Sequence, residues 1–347
     1  MTASRSDEDD LINAAQQGDP AAYGQLVAAY RTELHAHCYR MLGSAADAED
    51  ALQEALVRAW RGMRGFERRS SLRAWLYTIA TNACLKVIER RPRRVLPVDF
   101  GPAADRGEGP SSPPAEPTWI EPYPDRREVA ADSAATPEAR YDQRESVELA
   151  FIAALQHLTA GQRAALILHD VLGFPGREIA EMLRTTPASV YSSLQRAHQA
   201  VSGRLPRRSQ QATLRRLGDD GLRAVVERYV EAWHRGDVDS IVAMLTQDVI
   251  LSMPPLAGWF SGQASVREFL GGWPMAQAGR SRLVRTRANG QLAFGHYVLD
   301  AASGRYLAHS IDVITLRAGQ IAEVTAFFLP DSFAPFGLSS DLASPPG

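Results

Sequence analysis

The segment GFPGREIAEMLRTTPASVYSSLQRAHQAV, Gly173–Val201, restricts the choice of fold more than any other part of the chain. It reads as two helices joined by a tight turn, the second opened by Thr186 and Pro187. Proline suits the first helical position because the N–H it lacks would have no helical partner there. Ile179, Met182 and Leu183 give the first helix an apolar stripe, and Val190, Leu194, Ala197 and Val201 recur at helical spacing on the second. Ala188, Ser189, Ser192, Ser193, Gln195, Arg196 and Gln199 are left facing outward, all small or hydrogen-bonding. Such a face fits the DNA major groove. An ordinary amphipathic hairpin would carry the same stripe, so the rest of the chain must decide.

Charge is distributed unevenly. The 347 residues carry a net charge of -2, which excludes a uniformly basic nucleic-acid coat, and the length allows two or three domains. Between Arg58 and Arg94, however, 11 basic residues face 2 acidic ones, a footprint suited to phosphate. From Asp99 to Glu145 the balance reverses, with 11 acids against 5 arginines. Cys38 and Cys84 fall in apolar helical patterns and are expected as buried thiols rather than a disulfide or metal site. An apolar run of about 18 residues, the length needed to span a membrane, is missing, and the acidic N-terminus does not read as a signal peptide. A cytoplasmic protein without membrane contact is expected.

The first block, residues 1–95, reads as all helix. Asp19 and Pro20 form an N-cap and first turn; Ser44 and Asp47 form a capping pattern ahead of Ala48, Ala51, Leu52, Ala55, Leu56 and Ala59. That helix is acidic early and basic late, as the helix dipole favours. After the loop MRGFERRSS a third helix starts near Ser71 and runs to about Arg91. On its wheel Leu72, Leu76, Ile79, Ala80, Ala83, Cys84 and Val87 form one arc, with Trp75, Thr78, Asn82 and Lys86 opposite. An aromatic among polar groups beside cations can stack an unpaired base; it can equally pack on another helix.

Residues 96–138 are rich in Pro, Gly, Ala and acids and read as a linker. Within it PTWIEPYPD concentrates Trp119, Ile120 and Tyr123, which predicts a docking segment rather than a plain tether. A second helical block, 139–208, holds the helix-turn-helix. Residues 209–221 read as a polar connector, 222–336 as an α+β domain, and 337–347 as a tail. In the α+β domain Val225, Val226, Tyr229, Val230 and Trp233 make a helical stripe. Leu283–Ala288, Gln291–Asp300, Tyr306–Arg317 and Ile321–Leu329 read as strands of a curved antiparallel sheet, separated by NG, SG and AG turns.

DAEDALQEALVRAWRGMRGF followed by SLRAWLYTIATNACL resembles region two of bacterial RNA polymerase sigma factors of the extracytoplasmic-function group. LQHLTAGQRAALILHDVLGFPGREIAEMLRTTPASVYSSLQRA resembles their region four. The two stretches cover roughly residues 8–95 and 140–205, in the family's order. YVEAWHRGDVDSIVAMLTQDVILSMPP with the later GQIAEVTAFF is similar to the SnoaL-like cone of polyketide cyclases and ketosteroid isomerases. PTWIEPYPD looks like the Trp- and Pro-containing linker motif of sigma factors that carry such a tail.

The resemblance implies a transcription initiation factor, not an enzyme, that needs no cofactor or metal, binds core polymerase and promoter DNA, and serves a stress response. It implies polymerase contacts at Asp47, Glu49, Asp50, Gln53 and Glu54. It implies capture of the -10 element by Phe66, Arg68, Arg69, Arg73, Trp75, Asn82 and Lys86, and reading of the -35 element by Arg184, Thr186, Ser189, Ser192, Gln195 and Arg196. The cone could regulate by docking, sense a small apolar molecule, or move a proton, and its candidate polar residues and walls are Trp233, His296, Tyr306, His309 and Asp312. His309 and Asp312 are an odd number apart and are expected on opposite faces of one strand. A separate anti-sigma partner stays open at this stage. So does a one-component regulator with a ligand-binding cone, which would leave the basic Arg58–Arg94 block unexplained.

Overall fold

The computed structural model describes residues 5–105, 119–125, 144–275 and 279–343. They fall into two compact units: Met1–Arg94 with Arg127–Leu205, and Val95–Arg126 with Pro206–Gly347.

The first unit is all helix: α1 (Arg5–Gln16), α2 (Pro20–Ala28), α3 (Arg31–Leu42), α4 (Ala45–Gly62), α5 (Leu72–Arg90), α6 (Leu149–Gln156), α7 (Ala160–Leu166), α8 (Gly176–Met182) and α9 (Pro187–Ser202). Local chemistry sets its starts. Asp19 accepts from the amides of Ala21 and Ala22, Ser44 from Asp47, Ser71 from Ala74 and Thr186 from Ser189, each satisfying an amide the helix cannot. Thr159 and Gln162 close a reciprocal capping box on α7. Gly43 ends α3 in the left-handed conformation. Cys38 and Cys84 are buried and free.

Within this unit the helices before Arg94 pack directly on those after Glu145. Arg40 donates to Ser146 Oγ at 2.7 Å, Arg163 to the Met41 carbonyl, and Tyr77 meets Phe174 edge-on with ring centroids 5.4 Å apart. Tyr77 is buried by Phe174, and Thr81 is buried beside His37 of α3 at 2.9 Å, which broadens the buried arc of α5 beyond the apolar stripe of its wheel.

The second unit is α+β. Helix α10 (Gln210–Arg235), kinked at Gly218, is followed by α11 (Val238–Ala243), β1 (Leu245–Ser252), β2 (Trp259–Ser261), α12 (Gln263–Gly272), β3 (Ser281–Ala288), β4 (Gln291–Leu299), β5 (Tyr306–Arg317), β6 (Gln320–Phe328) and β7 (Asp341–Leu342). The sheet order is β2-β1-β6-β5-β4-β3, with β7 on β5. The pairing is antiparallel except that β1 runs parallel to β6. The sheet is therefore mixed, where the turn-separated hairpin pattern had predicted an antiparallel one; β2 and α12 lie between β1 and the hairpin strands in the chain.

Three domain limits also move. The first turns of α10 are no free connector: Gln210 Nε2 donates to the Leu316 carbonyl at 3.0 Å while its Oε1 accepts from the Leu316 amide at 2.8 Å. Residues 337–343 are no free tail, since β7 pairs Leu342 with Tyr306. Parts of the linker belong to the cone. The Trp259 indole donates to the Gly101 carbonyl at 2.9 Å, and Val95 bridges Trp119. Polar composition hid these placements because the contacts are made mostly by backbone groups and amide side chains, which a hydropathy pattern does not register. Linker residues 106–118 and 126–138 lie outside the described residues.

Candidate functional site

The acidic face of α4 divides into two kinds of residue. Asp50, Gln53 and Glu54 are exposed, with Glu54 paired to Arg58 at 2.6 Å. Glu49 is half-buried and pairs with Arg31 at 2.8 Å. Asp47, expected at a partner surface, is instead buried and holds Arg91 and Arg94, the latter at 2.6 Å. Its position one turn into α4 turns it toward the chain leaving α5. Val57 is 44% exposed beside this surface, an apolar contact group the charge pattern did not single out.

The basic loop and α5 are similarly mixed. Phe66 is buried, and Trp75 lies on it with centroids 4.9 Å apart, half-covered and against Gly62. Phe66 thus backs Trp75 rather than meeting a ligand itself. Arg68 is held by Asp9 at 2.9 Å and Asn13 at 2.6 Å, whereas Arg69 is exposed and pairs with Glu67. Asn82 donates to the Thr78 carbonyl at 2.8 Å, and Lys86 is exposed. Arg73, placed with the DNA-facing group by sequence, sits over the rings of Tyr77 and Phe174 at 4.9 and 4.8 Å and bonds Glu33 and the Leu172 carbonyl. A cation that stacks on two aromatic rings is engaged inside this unit.

On α9 the periodicity is realised as drawn: Val190, Leu194, Ala197 and Val201 are buried, while Arg184, Thr186, Ser189, Ser192, Gln195 and Arg196 are exposed. Arg196 donates to Ser192 Oγ at 2.9 Å, one turn back on the same face. Tyr191, 56% exposed, extends this face; the gap in the apolar stripe after Val190 was the signal for it.

In the linker, Ile120 and Tyr123 are buried, and Trp119 meets Phe100 edge-on at 5.6 Å. Tyr123 N–H donates to Asn289 Oδ1 and its carbonyl accepts from Asn289 N–H, both at 2.8 Å. Asp125 accepts from the Gly290 amide at 2.8 Å and pairs with Arg287 at 3.1 Å. The Asn289–Gly290 turn between β3 and β4 has positive φ at both positions, 55° and 67°, so its amides point outward to be read.

Inside the cone a narrow cavity is lined by Tyr229, Trp233, His296, His309, Ser310 and Asp312 among aliphatic and aromatic walls. Ser310 donates to Asp312 Oδ1 at 2.7 Å; His296 Nδ1 stands 3.9 Å from Oδ2, and its Nε2 meets Ser281 Oγ at 3.0 Å. The odd spacing of His309 and Asp312 does not separate them. A bulge in β5 opposite the His296–Tyr297 step adds one residue, and both reach the cavity. Tyr306 does not line it; its hydroxyl donates to the Gly279 carbonyl and its ring lies under Arg282. Among the described residues no group of three or more His, Cys, Asp or Glu is arranged to hold a metal.

Burial pushes the Asp312 carboxyl up to about 7 and holds the His296 imidazole down at about 3, aided by His309. The unfolded carboxyl ionises near 3.8, so between about pH 4 and 7 the folded chain binds more protons and stability falls as pH rises. His296 acts oppositely: its contribution is lost as pH falls through 6.5 toward 3. Asp312→Asn, which keeps the size and the Ser310 partner, should therefore gain in Tm over the parent between pH 5 and 7.5. A Tm difference that stays constant across that range would contradict this assignment.

Three family models match the chain: Sigma-70 region 2 over residues 26–94, Sigma-70 region 4 over 148–201 and a SnoaL-like domain over 226–324. The chain is 40% identical over 337 residues to the ECF RNA polymerase sigma factor SigG of Mycobacterium tuberculosis, covering 94% of this chain and 86% of that protein. It belongs to the ECF RNA polymerase sigma factors. SigJ of the same organism is 29% identical, with 92% and 96% covered, and the crystal structure of SigJ superposes at a TM-score of 0.57 with 25% identity over 91% of this chain. As a sigma factor the protein directs core polymerase to promoter DNA; the end of α2 with α3–α5 falls in the region 2 match, α6–α9 in the region 4 match, and the second unit carries the SnoaL-like cone. Among the described residues no helix is long and apolar enough to cross a membrane.

Proposed function

We propose that this sigma factor is regulated by its own cone through the linker between region 2 and region 4, in the cytoplasm where core polymerase works. The observation that carries the reading is the seating of Tyr123 and Asp125 on the Asn289–Gly290 turn. The covalent path from region 2 to region 4, nearly 50 residues long, is thereby anchored on the cone at 95–105 and again at 119–125, which shortens its reach. The -10 and -35 elements lie tens of ångströms apart at about 3.4 Å per base pair. A shortened tether therefore opposes the separation of regions that promoter binding needs, and the cone acts as a brake. Run-off transcription with core polymerase, comparing the full chain with one ending at Leu205, tests this. Equal transcription by the two would refute it.

Core polymerase binds the exposed part of α4, Asp50, Gln53 and Glu54, with Glu49 at its edge. Trp75, Asn82 and Lys86 with Arg68 and Arg69 take the -10 strand. Trp75→Ala and Asn82→Ala should lose open-complex formation while retaining core binding, because they remove a stacking surface and a polar partner for an unpaired base. Normal permanganate reactivity of promoter thymines in both variants would count against the assignment.

Region 4 reads the -35 element with Ser192 and Gln195 at base edges, and Arg184 and Arg196 on phosphate. Substituting Ser192 and Gln195 should alter the -35 sequence recovered by selection. Arg196→Ala should weaken all promoters alike and flatten the salt slope by about one unit. An unchanged consensus from the first pair would sink the assigned face.

A further inference from the structure

Region 2 and region 4 share a recess that lies outside the surfaces assigned above to polymerase and promoter. It is lined by Arg91, Arg93 and Arg94 from the end of region 2 and by Gln156 and Arg163 from the start of region 4, with Asp47 as the acid at its wall. Four guanidinium groups against one carboxylate leave an excess of three positive charges.

Arg163 is the unusual member. Its side chain is buried, yet its partners are neutral: Nη1 donates to Gln156 Oε1 at 2.6 Å and to the Met41 carbonyl, Nη2 to the carbonyls of Gln156 and Leu158 at 3.3 and 3.4 Å. Nε has no hydrogen bond, nor has Nε2 of the equally buried Gln156. Burial and the nearby Arg93 pull the Arg163 guanidinium down to about 10. A buried cation facing other cations, with two buried N–H donors unused, is costly unless an anion joins it. Guanidinium forks match phosphate oxygens in geometry as well as charge.

We propose that this recess binds a small phosphorylated anion, inorganic phosphate or the pyrophosphate of a nucleotide, held by Arg93, Arg163 Nε, Gln156 Nε2 and the outer nitrogens of Arg91. Because its residues come from both regions, the anion binds the closed arrangement alone and favours it over the one separated on promoter DNA.

The experiment uses the full chain at constant ionic strength, with phosphate, pyrophosphate and ADP as probes and chloride as reference, read by calorimetry and by Tm. Phosphate and pyrophosphate should raise Tm above the chloride reference, pyrophosphate at lower concentration. A further gain with ADP identifies a nucleotide, and equality with pyrophosphate identifies the phosphoryl group alone. Arg93→Ala, an exposed position whose loss leaves the fold intact, should weaken binding about tenfold. Asp47→Asn should lower Tm in chloride, because Arg94 loses its partner, yet strengthen anion binding by calorimetry severalfold, since the competing carboxylate is gone. Opposite shifts from these two variants cannot come from a general loss of structure. The proposal fails if no anion exceeds chloride, if binding ignores both variants, or if duplex DNA but no small anion depends on Arg93.

Discussion

Tyr123→Ala is expected to release the linker from the cone and to raise core-dependent transcription severalfold at limiting sigma factor. The side chain is fully buried, and truncating a buried aromatic costs roughly 3–5 kcal/mol, more than a hundredfold in the docking equilibrium. Removing the Tyr123 ring leaves its two backbone bonds to Asn289 in place, so Asp125→Ala, which deletes the contacts to Gly290 and Arg287, should add to the effect. Cleavage of the linker by protease should quicken in the same order, from parent to single to double variant. If the double variant matches the parent in both proteolysis and run-off transcription, the cone does not act through this segment.

Asp47→Ala is expected to destabilise region 2 rather than to weaken polymerase binding selectively. The carboxylate is shared by Arg91 and by Arg94, whose side chain is 9% exposed. Removing one member of a buried pair costs roughly 3 kcal/mol, even with the exposed Arg91 discounted. For a unit of this size that lowers Tm by about 6–12 °C. Asp50→Ala, at an exposed position on the same helix, should leave Tm unchanged and reduce the affinity for core polymerase. The assignment fails if the Asp47 variant melts with the parent and still loses core binding.

The two carboxylates show where pattern reading ends. Asp47 and Asp50 sit three residues apart on one acidic helix, and both look like surface groups by charge and period. Only the return of Arg91–Arg94 past the start of α4 distinguishes them, and that return is a long-range contact. Arg73 is a similar case. Its neighbours along the chain mark it as part of a basic DNA-facing surface, but Phe174, about a hundred residues later, supplies an aromatic partner.

Sequence alone determined what depends on neighbours within a few turns: the helix starts at Asp19, Ser44, Ser71 and Thr186, the buried stripe of α9, and the tight Asn289–Gly290 turn. It also carried the family through the order of its two sigma regions. Tertiary structure decided the rest. It set the parallel β1–β6 pair, because two strands far apart in the chain choose their direction by packing and not by local period. It brought His309 onto the same cavity as Asp312, because one bulged residue reverses the alternation along a strand. It chose where the linker sits, because the Asn289–Gly290 turn that receives Tyr123 and Asp125 lies far away in the chain. Finally it gathered four arginines and one aspartate from separate segments into one recess, a charge arrangement that exists only once the chain is folded.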